Sequence, residues 1–442
     1  MFSRRSSVAQ AIIWALLTAL GSFASNGCNR QSKAPVTISF LDPEWSNLES
    51  YRSKPVREAL LDFTRQTGIQ VKHIPAPEDS REQLELIRRL LEQGSGGPDV
   101  YVIDVVWPGI LSQDLLDLGN EFSDELKSED PDVLNNNRVD GRLVAVPFHI
   151  NVGVLYYRTD LLKKYGFRGP PKTWDELEKM AIRIQNGERR TGKADFWGFV
   201  WPGAANEALT CNALEWQYAE GGGRIIEDNR TISVDNPGTI KAWKRGAHWV
   251  GWISPPTVTA YREGDAVNAF DNASRSAFLR TWASDYFLSA PYFPNIDASG
   301  VTSLPGPAVI GGNSLAVSRF SSHKPEAIQL IRFLLHREQE LEIVRANSSP
   351  PSGRMLFELP PILKAYSHLD PTSAQTVGKV FVRPSTISGE KYEQVSRAYS
   401  EAAFSVLTKR RTAEEAASQL EDDLVRITGF RRQQSGVNAS LR

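Results

Sequence analysis

The 442 residues carry 51 basic against 52 acidic side chains, so no net field draws the chain to nucleic acid or to anionic lipid. Apolar residues at 41% and charged ones at 23% describe a soluble folded body long enough for two or three cores. With six His and two Cys, little is left for a transition-metal site, and neither a metal nor a cofactor is expected.

Arg4 and Arg5 precede an apolar run over residues 8–23, the order of a secretory signal. Gln10 and Thr18 interrupt that run, and it is short for a membrane-spanning helix. It ends on Ala24-Ser25-Asn26-Gly27-Cys28, where Gly before Cys resembles a bacterial lipoprotein processing site with Cys28 acylated after cleavage. Ser25 stands where a large aliphatic residue is usual, which leaves ordinary cleavage near Ala24 open. The expectation is a signal peptide over 1–28, a polar tether over 29–35, and a mature chain in the periplasm or on the cell surface. Several acyl chains on Cys28 would hold it to the membrane. Cys211 then lacks a disulfide partner and reads as a small buried apolar residue.

Residues 36–41 alternate like a strand, 55–66 read as a helix stopped at Gly68, and 69–74 as a second strand. Leu84, Ile87 and Leu91 mark a helical stripe ended by Gly94, and 98–106 is a buried strand. That βαβαβ order predicts a parallel sheet with helices on its faces. Glycines 94, 96 and 97 lack the Gly-Lys-Ser/Thr of a phosphate loop and read as a helix stop and turn. Residues 147–151 read as an aromatic and polar turn before an apolar run over 152–157. Thr173 and Glu176 have capping-box spacing ahead of a stripe through Leu177, Met180, Ala181 and Ile184. Helices and short strands alternate as far as residue 253, and 310–317 look like a tight glycine turn leading into a strand. Ala327, Leu330, Ile331 and Leu334 form a helix behind Pro325. Thr412 and Glu415 cap a last helix that Gly429 ends, leaving 431–442 as a flexible tail.

As a block, the Leu155-Tyr156-Tyr157-Arg158-x-Asp160-Leu161-Leu162 run, the Tyr165-Gly166 stop and Pro171-Lys172-Thr173-Trp174-x-Glu176-Leu177 resemble a family-1 extracellular solute-binding protein of an ABC sugar importer. The trehalose/maltose-binding branch is the most similar. The resemblance covers roughly 36–429. It implies an α/β, two-lobed periplasmic-binding-protein fold of class II type, with discontinuous lobes and a ligand cleft between them. Carried onto this chain, the N-terminal lobe is 36–146 with 290–346, and the C-terminal lobe is 147–289 with 347–430. Crossovers then fall near 146–151, 283–291 and 347–353, the third containing Ser348-Ser349-Pro350-Pro351. The implied partners are a carbohydrate and the membrane subunits of an ABC permease, and the implied receptor is a monomer.

A sugar needs aromatic faces against its C–H faces and planar polar groups for its hydroxyls. In open α/β sheets ligands sit beyond the carboxyl ends of strands. Asp104 and Trp107 end one strand, Glu44 and Trp45 follow the first, Phe148 and Asn151 lie at the first crossover, and Trp282 lies near the second. The resemblance adds Gly312 and Asn313, and Arg383 of an Arg-Pro pair. Relatives usually carry Asp where this chain has Asn151, Trp where it has Asn313, and an aromatic where it has Ser284. The pocket is therefore expected to be more polar, less acidic and larger than a trehalose/maltose site. Arg354 and Glu207 have weaker claims, resting on position alone. Trp243, Trp249 and Trp252 read as structural, and Trp197 and Trp201 as ambiguous.

Two other readings compete with a receptor. A glycoside hydrolase needs only two placed carboxylates, but no sequence motif singles out a pair, and Gly-x-Ser-x-Gly and His-Glu-x-x-His are absent. A relative that has lost transport and serves as a sensor subunit would fit the departures at Asn151, Ser284 and Asn313. No catalytic residue is assigned.

Overall fold

Strands β1 (Thr37–Pro43), β2 (Gln70–Ala76) and β3 (Val100–Asp104) alternate with helices α1 (Ser53–Thr67) and α2 (Ser80–Glu92) and pair in parallel in the order β2-β1-β3. The computed structural model describes residues 35–43, 53–77, 80–122, 125–129, 131–271, 274–283, 298–336, 338–339 and 380–433. In β3 the period-two alternation serves two cores. Val100 and Val102 meet Phe40, Leu60 and Phe63 on one face, and Tyr101 and Ile103 meet Leu84, Ile87 and Leu91 on the other. Gly68 and Gly94, at φ 77° and 65°, sit just beyond the two helices in the left-handed conformation that side chains resist.

The remaining elements follow in order. They are α3 (Pro108–Leu111), α4 (Pro131–Asn135), β4 (Arg138–Val139), β5 (Arg142–Leu143), β6 (Val146–Arg158), α5 (Thr159–Lys164), α6 (Trp174–Arg190), β7 (Trp197–Val200) and α7 (Glu207–Ala219). Next come β8 (Thr231–Ile232), α8 (Pro237–Trp249), α9 (Glu263–Phe270), β9 (Ser276–Trp282), β10 (Ser299–Ser303), β11 (Ala308–Val317) and α10 (Lys324–Leu334). The chain closes with β12 (Val380–Phe381), α11 (Ser385–Ser388), α12 (Tyr392–Leu407), α13 (Ala413–Thr428) and β13 (Arg431–Arg432).

The expected turn at 147–151 is not a turn. Those residues belong to β6, a 13-residue strand whose first half pairs with β11 and whose second half pairs with β9 and β10, all antiparallel. The sheet is therefore mixed, because β11 enters between β3 and β6 antiparallel to both. The glycines at 311–312 likewise lie within β11, not in a turn before it. Gly312, at φ 113°, sits beside a register shift between Asn313 and Ser314. A Cβ on Gly312 would stand 2.0 Å from the His149 carbonyl oxygen, so only glycine fits there.

One set of elements (β1–β3 with the C-terminal half of β11) closes the first pair of cores. A second set (β7, β9 and α6–α8 with α12 and α13) closes a larger core around Leu155, Phe199, Trp216, Trp243 and Trp249. The product is a two-lobed α/β fold with β6 and β11 common to both lobes. Val146 and Phe148 still pack in the first lobe, so the chain leaves that lobe in mid-strand. Trp201 is fully buried against Trp216, whereas Trp197 lies under the Arg189 guanidinium at the edge. Cys211 is buried, and desolvation pushes its thiol up to about 12, in keeping with an inert apolar role. Residues 431–432, expected in a tail, pair in parallel with β8.

Both caps form. Thr412 and Glu415 make the reciprocal box. Thr173 accepts the Glu176 amide at 3.1 Å, but the Glu176 carboxylate reaches back one residue further than the motif implies, to the Lys172 amide at 2.7 Å. Within α6, Gly187 makes room for Tyr165, whose hydroxyl donates to the buried Glu188 carboxylate at 2.8 Å. A Cβ there would stand 2.1 Å from the Tyr165 ring. Helix propensity alone would make Gly187→Ala stabilising by about 1 kcal/mol. The clash reverses the sign, and the variant is expected to be destabilised by roughly 1–3 kcal/mol as an overpacked core. The urea midpoint measures it, and an upward shift would contradict the packing account.

Candidate functional site

Across β3, β11, β9 and the first half of β6, contact with solvent is confined to a few positions. In β11, only Gly312 and Asn313 are partly exposed between fully buried neighbours. In β3 the partly exposed position is Asp104, in β9 it is Trp282, and in the first half of β6 they are His149 and Asn151. Pairing register brings them together. Asn313 lies opposite Asp104 on one side and His149 on the other, Gly311 lies opposite Asn151, and Trp282 lies opposite Gly153. The Gly312 carbonyl accepts the Val105 amide at 3.1 Å, tying β11 to the end of β3. Five sequence-derived candidates (Asp104, Asn151, Trp282, Gly312 and Asn313) thus share one band across four strands.

The sixth, Arg383, follows β12 and is 5% exposed. Its Nη1 donates to Glu207 Oε1 at 2.6 Å and its Nη2 to the Ile310 carbonyl at 3.0 Å. Tyr392 also donates to Glu207 Oε1, and Ser396 to its Oε2. Glu207, in the first turn of α7, is therefore an orienting carboxylate whose oxygens are engaged from three sides. Burial pulls the Arg383 guanidinium down, but Cys211, Tyr392, Glu207 and Asp104 pull it further up, so it stays charged.

Asp104 is raised to about 6. Desolvation by burial is the main cause, opposed by Arg383 and by the Val106 amide, with Glu207 and Glu263 adding repulsion. Asp104 therefore feels two further carboxylates and one arginine at this band. Trp282 completes it. Its Nε1 donates to Glu263 Oε1 at 2.6 Å, and a Cβ on Gly311 would stand 2.8 Å from its ring.

Two expected residues do not face the band. Phe148 is 2% exposed and packs with Val146 and Leu315 in the first core. Strand alternation explains it: 146 and 148 point inward, so 149 and 151 point outward. Trp107 is 3% exposed and packs with Val105, Ile110, Leu111 and Tyr392. Glu44, Trp45, Ser284, Arg354 and Cys28 lie outside the described residues, as do most of the second and third expected crossovers. His149, Glu263, Tyr392 and Ser396 had no motif to announce them. Alternation along β6 was the one available signal, and it reaches only His149. A cavity of about 440 Å³ is lined by Arg383 together with residues such as Asp132, Asn136, Tyr218 and Arg224. Among the described residues no group of three or more His, Cys, Asp or Glu is placed to hold a metal ion.

Two lobes that share strands, with a polar band and one indole where they meet, define a binding protein of the class II periplasmic type. The chain belongs to the bacterial extracellular solute-binding protein family, whose model matches residues 45–340, and it is accordingly an extracytoplasmic receptor and not an enzyme. It is 40% identical over 376 residues to a "Probable ABC transporter-binding protein" of Deinococcus radiodurans, covering 83% of this chain and 89% of that one. It is 26% identical over 364 residues to the sn-glycerol-3-phosphate-binding periplasmic protein of Salmonella paratyphi A, covering 77% and 80%. Its fold is similar to the maltose-bound MalE3 of T. maritima, with a TM-score of 0.77 and 29% identity over 88% of this chain and 99% of that one.

The Asp104 shift has a consequence for stability. The folded chain holds this proton to about pH 6, whereas an unperturbed carboxyl releases it near 3.8. The group's favourable contribution is complete below pH 3.8 and is lost as pH rises through 6. Asp104→Asn is therefore expected to raise the urea midpoint relative to wild type at pH 7 and to leave it unchanged at pH 3.8. Equal differences at both pH values would show that the carboxyl is not perturbed.

Proposed function

We propose that this protein captures a di- or oligosaccharide between its lobes and delivers it to the membrane subunits of an ABC permease. The observation that carries this reading is the charge and shape of the band. One indole offers a stacking face, Asn151 and Asn313 offer planar hydrogen-bonding groups, and Asp104 and Arg383 supply a charged acceptor and donor. Asp104, Glu207 and Glu263 together outnumber the arginine, which disfavours a phosphate dianion and suits a neutral polyol. Glycerol phosphate, which the Salmonella relative is named for, is therefore a poor match for this band. The maltose bound to the T. maritima protein supports the sugar class but not the particular sugar.

Closure is driven only by contacts the ligand makes better in the closed state. The lobes in this reading are 36–146 with 290–346 and 147–289 with 347–430, the first crossing falling within β6 and the second set later than residue 290, because β10 pairs with the second half of β6 and Leu304 and Val309 pack in the second core. The receptor works as a monomer, cleaved before Cys28 and held to the membrane through the acylated Cys28 and the 29–35 tether.

Isothermal titration against a panel of glucose-, galactose- and mannose-based oligosaccharides is expected to find at least one ligand, with closure visible by X-ray scattering. Trp282→Ala should weaken it tenfold or more, about 1.4 kcal/mol, and glycerol 3-phosphate should give no heat. Binding of glycerol 3-phosphate with no binding across the panel would replace this reading. For the anchor, Cys28→Ser is expected to abolish fatty-acid labelling and to release the protein from membranes. A wild-type chain that takes up no label would return cleavage to Ala24.

A further inference from the structure

Beneath Trp282 lies an ion pair that the binding reading does not use. Glu215, on α7, and Arg280, on β9, are both 0% exposed. They meet through two bonds, Arg280 Nε to Glu215 Oε2 at 2.9 Å and Nη2 to Oε1 at 2.6 Å. The Val309 amide donates to the same Glu215 oxygen at 3.2 Å. Gly153 on β6 leaves the space, since a Cβ there would stand 2.3 Å from Glu215 Oε1 and 2.7 Å from Arg280 Nη2. Residues 280 and 282 are two apart on one strand and so share a face. The Arg280 guanidinium carbon lies 4.6 Å from the Trp282 ring centroid.

A buried pair of this kind contributes little net stability, because desolvation offsets its Coulomb energy, and apolar replacement of both partners is often neutral or stabilising. What it does supply is direction. A guanidinium held bidentately in one plane cannot turn, and its planar face stacks on an aromatic ring. The indole above it is then constrained from three sides: by the guanidinium face, by the Gly311 backbone at its edge, and by Glu263 at its Nε1.

We infer that the buried Glu215–Arg280 pair is a positioning device that sets the plane of Trp282, and through it the selectivity of the cleft for sugars that stack. Neither residue touches the ligand. Both act through the indole. The inference rests on Trp282 as the stacking platform of the proposed function, and its test separates the two.

The double variant Glu215→Leu with Arg280→Met removes both charges at similar volume. In protein labelled with 5-fluorotryptophan, the Trp282 resonance is assigned as the one missing from Trp282→Phe. The double variant is expected to keep the wild-type urea midpoint, to shift or broaden the Trp282 fluorine line alone among the tryptophans near the cleft, and to lose about tenfold in sugar affinity. Combined with Trp282→Ala it should lose no more than Trp282→Ala loses, because the pair works only through the ring. An unmoved fluorine line with unchanged affinity overturns the inference, as do losses that simply add to those of Trp282→Ala. If Trp282→Ala itself leaves affinity unchanged, the stacking reading fails while the fluorine line still decides whether the pair orients the ring. Should the double variant fail to fold, Arg280→Lys carries the test. It keeps the charge but not the planar face, so the fluorine line should move and affinity should fall severalfold, and no change in either sinks the idea.

Discussion

The antiparallel pairing of β6 with β11 is the constraint on which the rest of the molecule depends. These two strands belong to both lobes, so each lobe's sheet is completed by residues that also enter the other. The register shift between Asn313 and Ser314 falls within that pairing. Such a shift re-aims side chains and interrupts the ladder locally, and here it directly follows the partly exposed Gly312 and Asn313 in an otherwise buried strand. Asp104, Asn151, Asn313 and Trp282 are consequently held by ladder hydrogen bonds and by two cores. Binding groups mounted on strands are placed more exactly than groups on loops.

Electrostatic order at the band follows from burial. Arg383 is nearly enclosed, and an enclosed cation must be paired and hydrogen-bonded. Glu207 meets that need, and Tyr392 and Ser396 in turn hold Glu207. Burial, then the Glu207 carboxylate, pushes the Tyr392 hydroxyl well up, so it remains a donor. Asp104 is different. It shares the field of Arg383 without that degree of compensation, and desolvation lifts it toward neutrality. The band therefore combines one fixed charge pair with the Glu263 carboxylate at the indole and one carboxyl raised to about 6, an excess of acceptors over cationic donors.

Much of this architecture could be read along the chain, and its failures share one cause. The βαβαβ start, both N-caps and the stripes of α1, α2, α6, α10 and α13 are local patterns, and periodicity reveals them. Pairing between β6 and β11, whose partners run from Ile310 with Val152 to Leu315 with Val146 and are far apart in the chain, leaves no local trace. Pro147, Asn151 and the glycines at 311 and 312 then resembled turn residues, because in isolation that is what they are. Misreading 147–151 as a turn carried a second error with it. Reading those residues as a strand would have put Phe148 inside with Val146 and turned His149 outward with Asn151. Residues such as Glu263 and Tyr392 reach the band from helices whose packing no spacing announces.

The departures from the trehalose/maltose pattern look different once the carboxylates are placed. A strand position where relatives usually carry Asp holds Asn151. Yet acidic charge has not left the site, because Glu207 and Glu263 supply it from the first turns of α7 and α9. A helix N-terminus favours a carboxylate through its unpaired amides and its dipole. Within the sheet, by contrast, a further Asp beside the raised Asp104 would meet repulsion and desolvation together. An Asn at 151 avoids both penalties and adds a donor that a carboxylate lacks. In this chain, then, the acidity of the cleft is carried by helix starts at its rim while the strands beneath supply neutral amides. That distribution leaves the floor able to both give and accept hydrogen bonds, as a hydroxyl-bearing ligand requires.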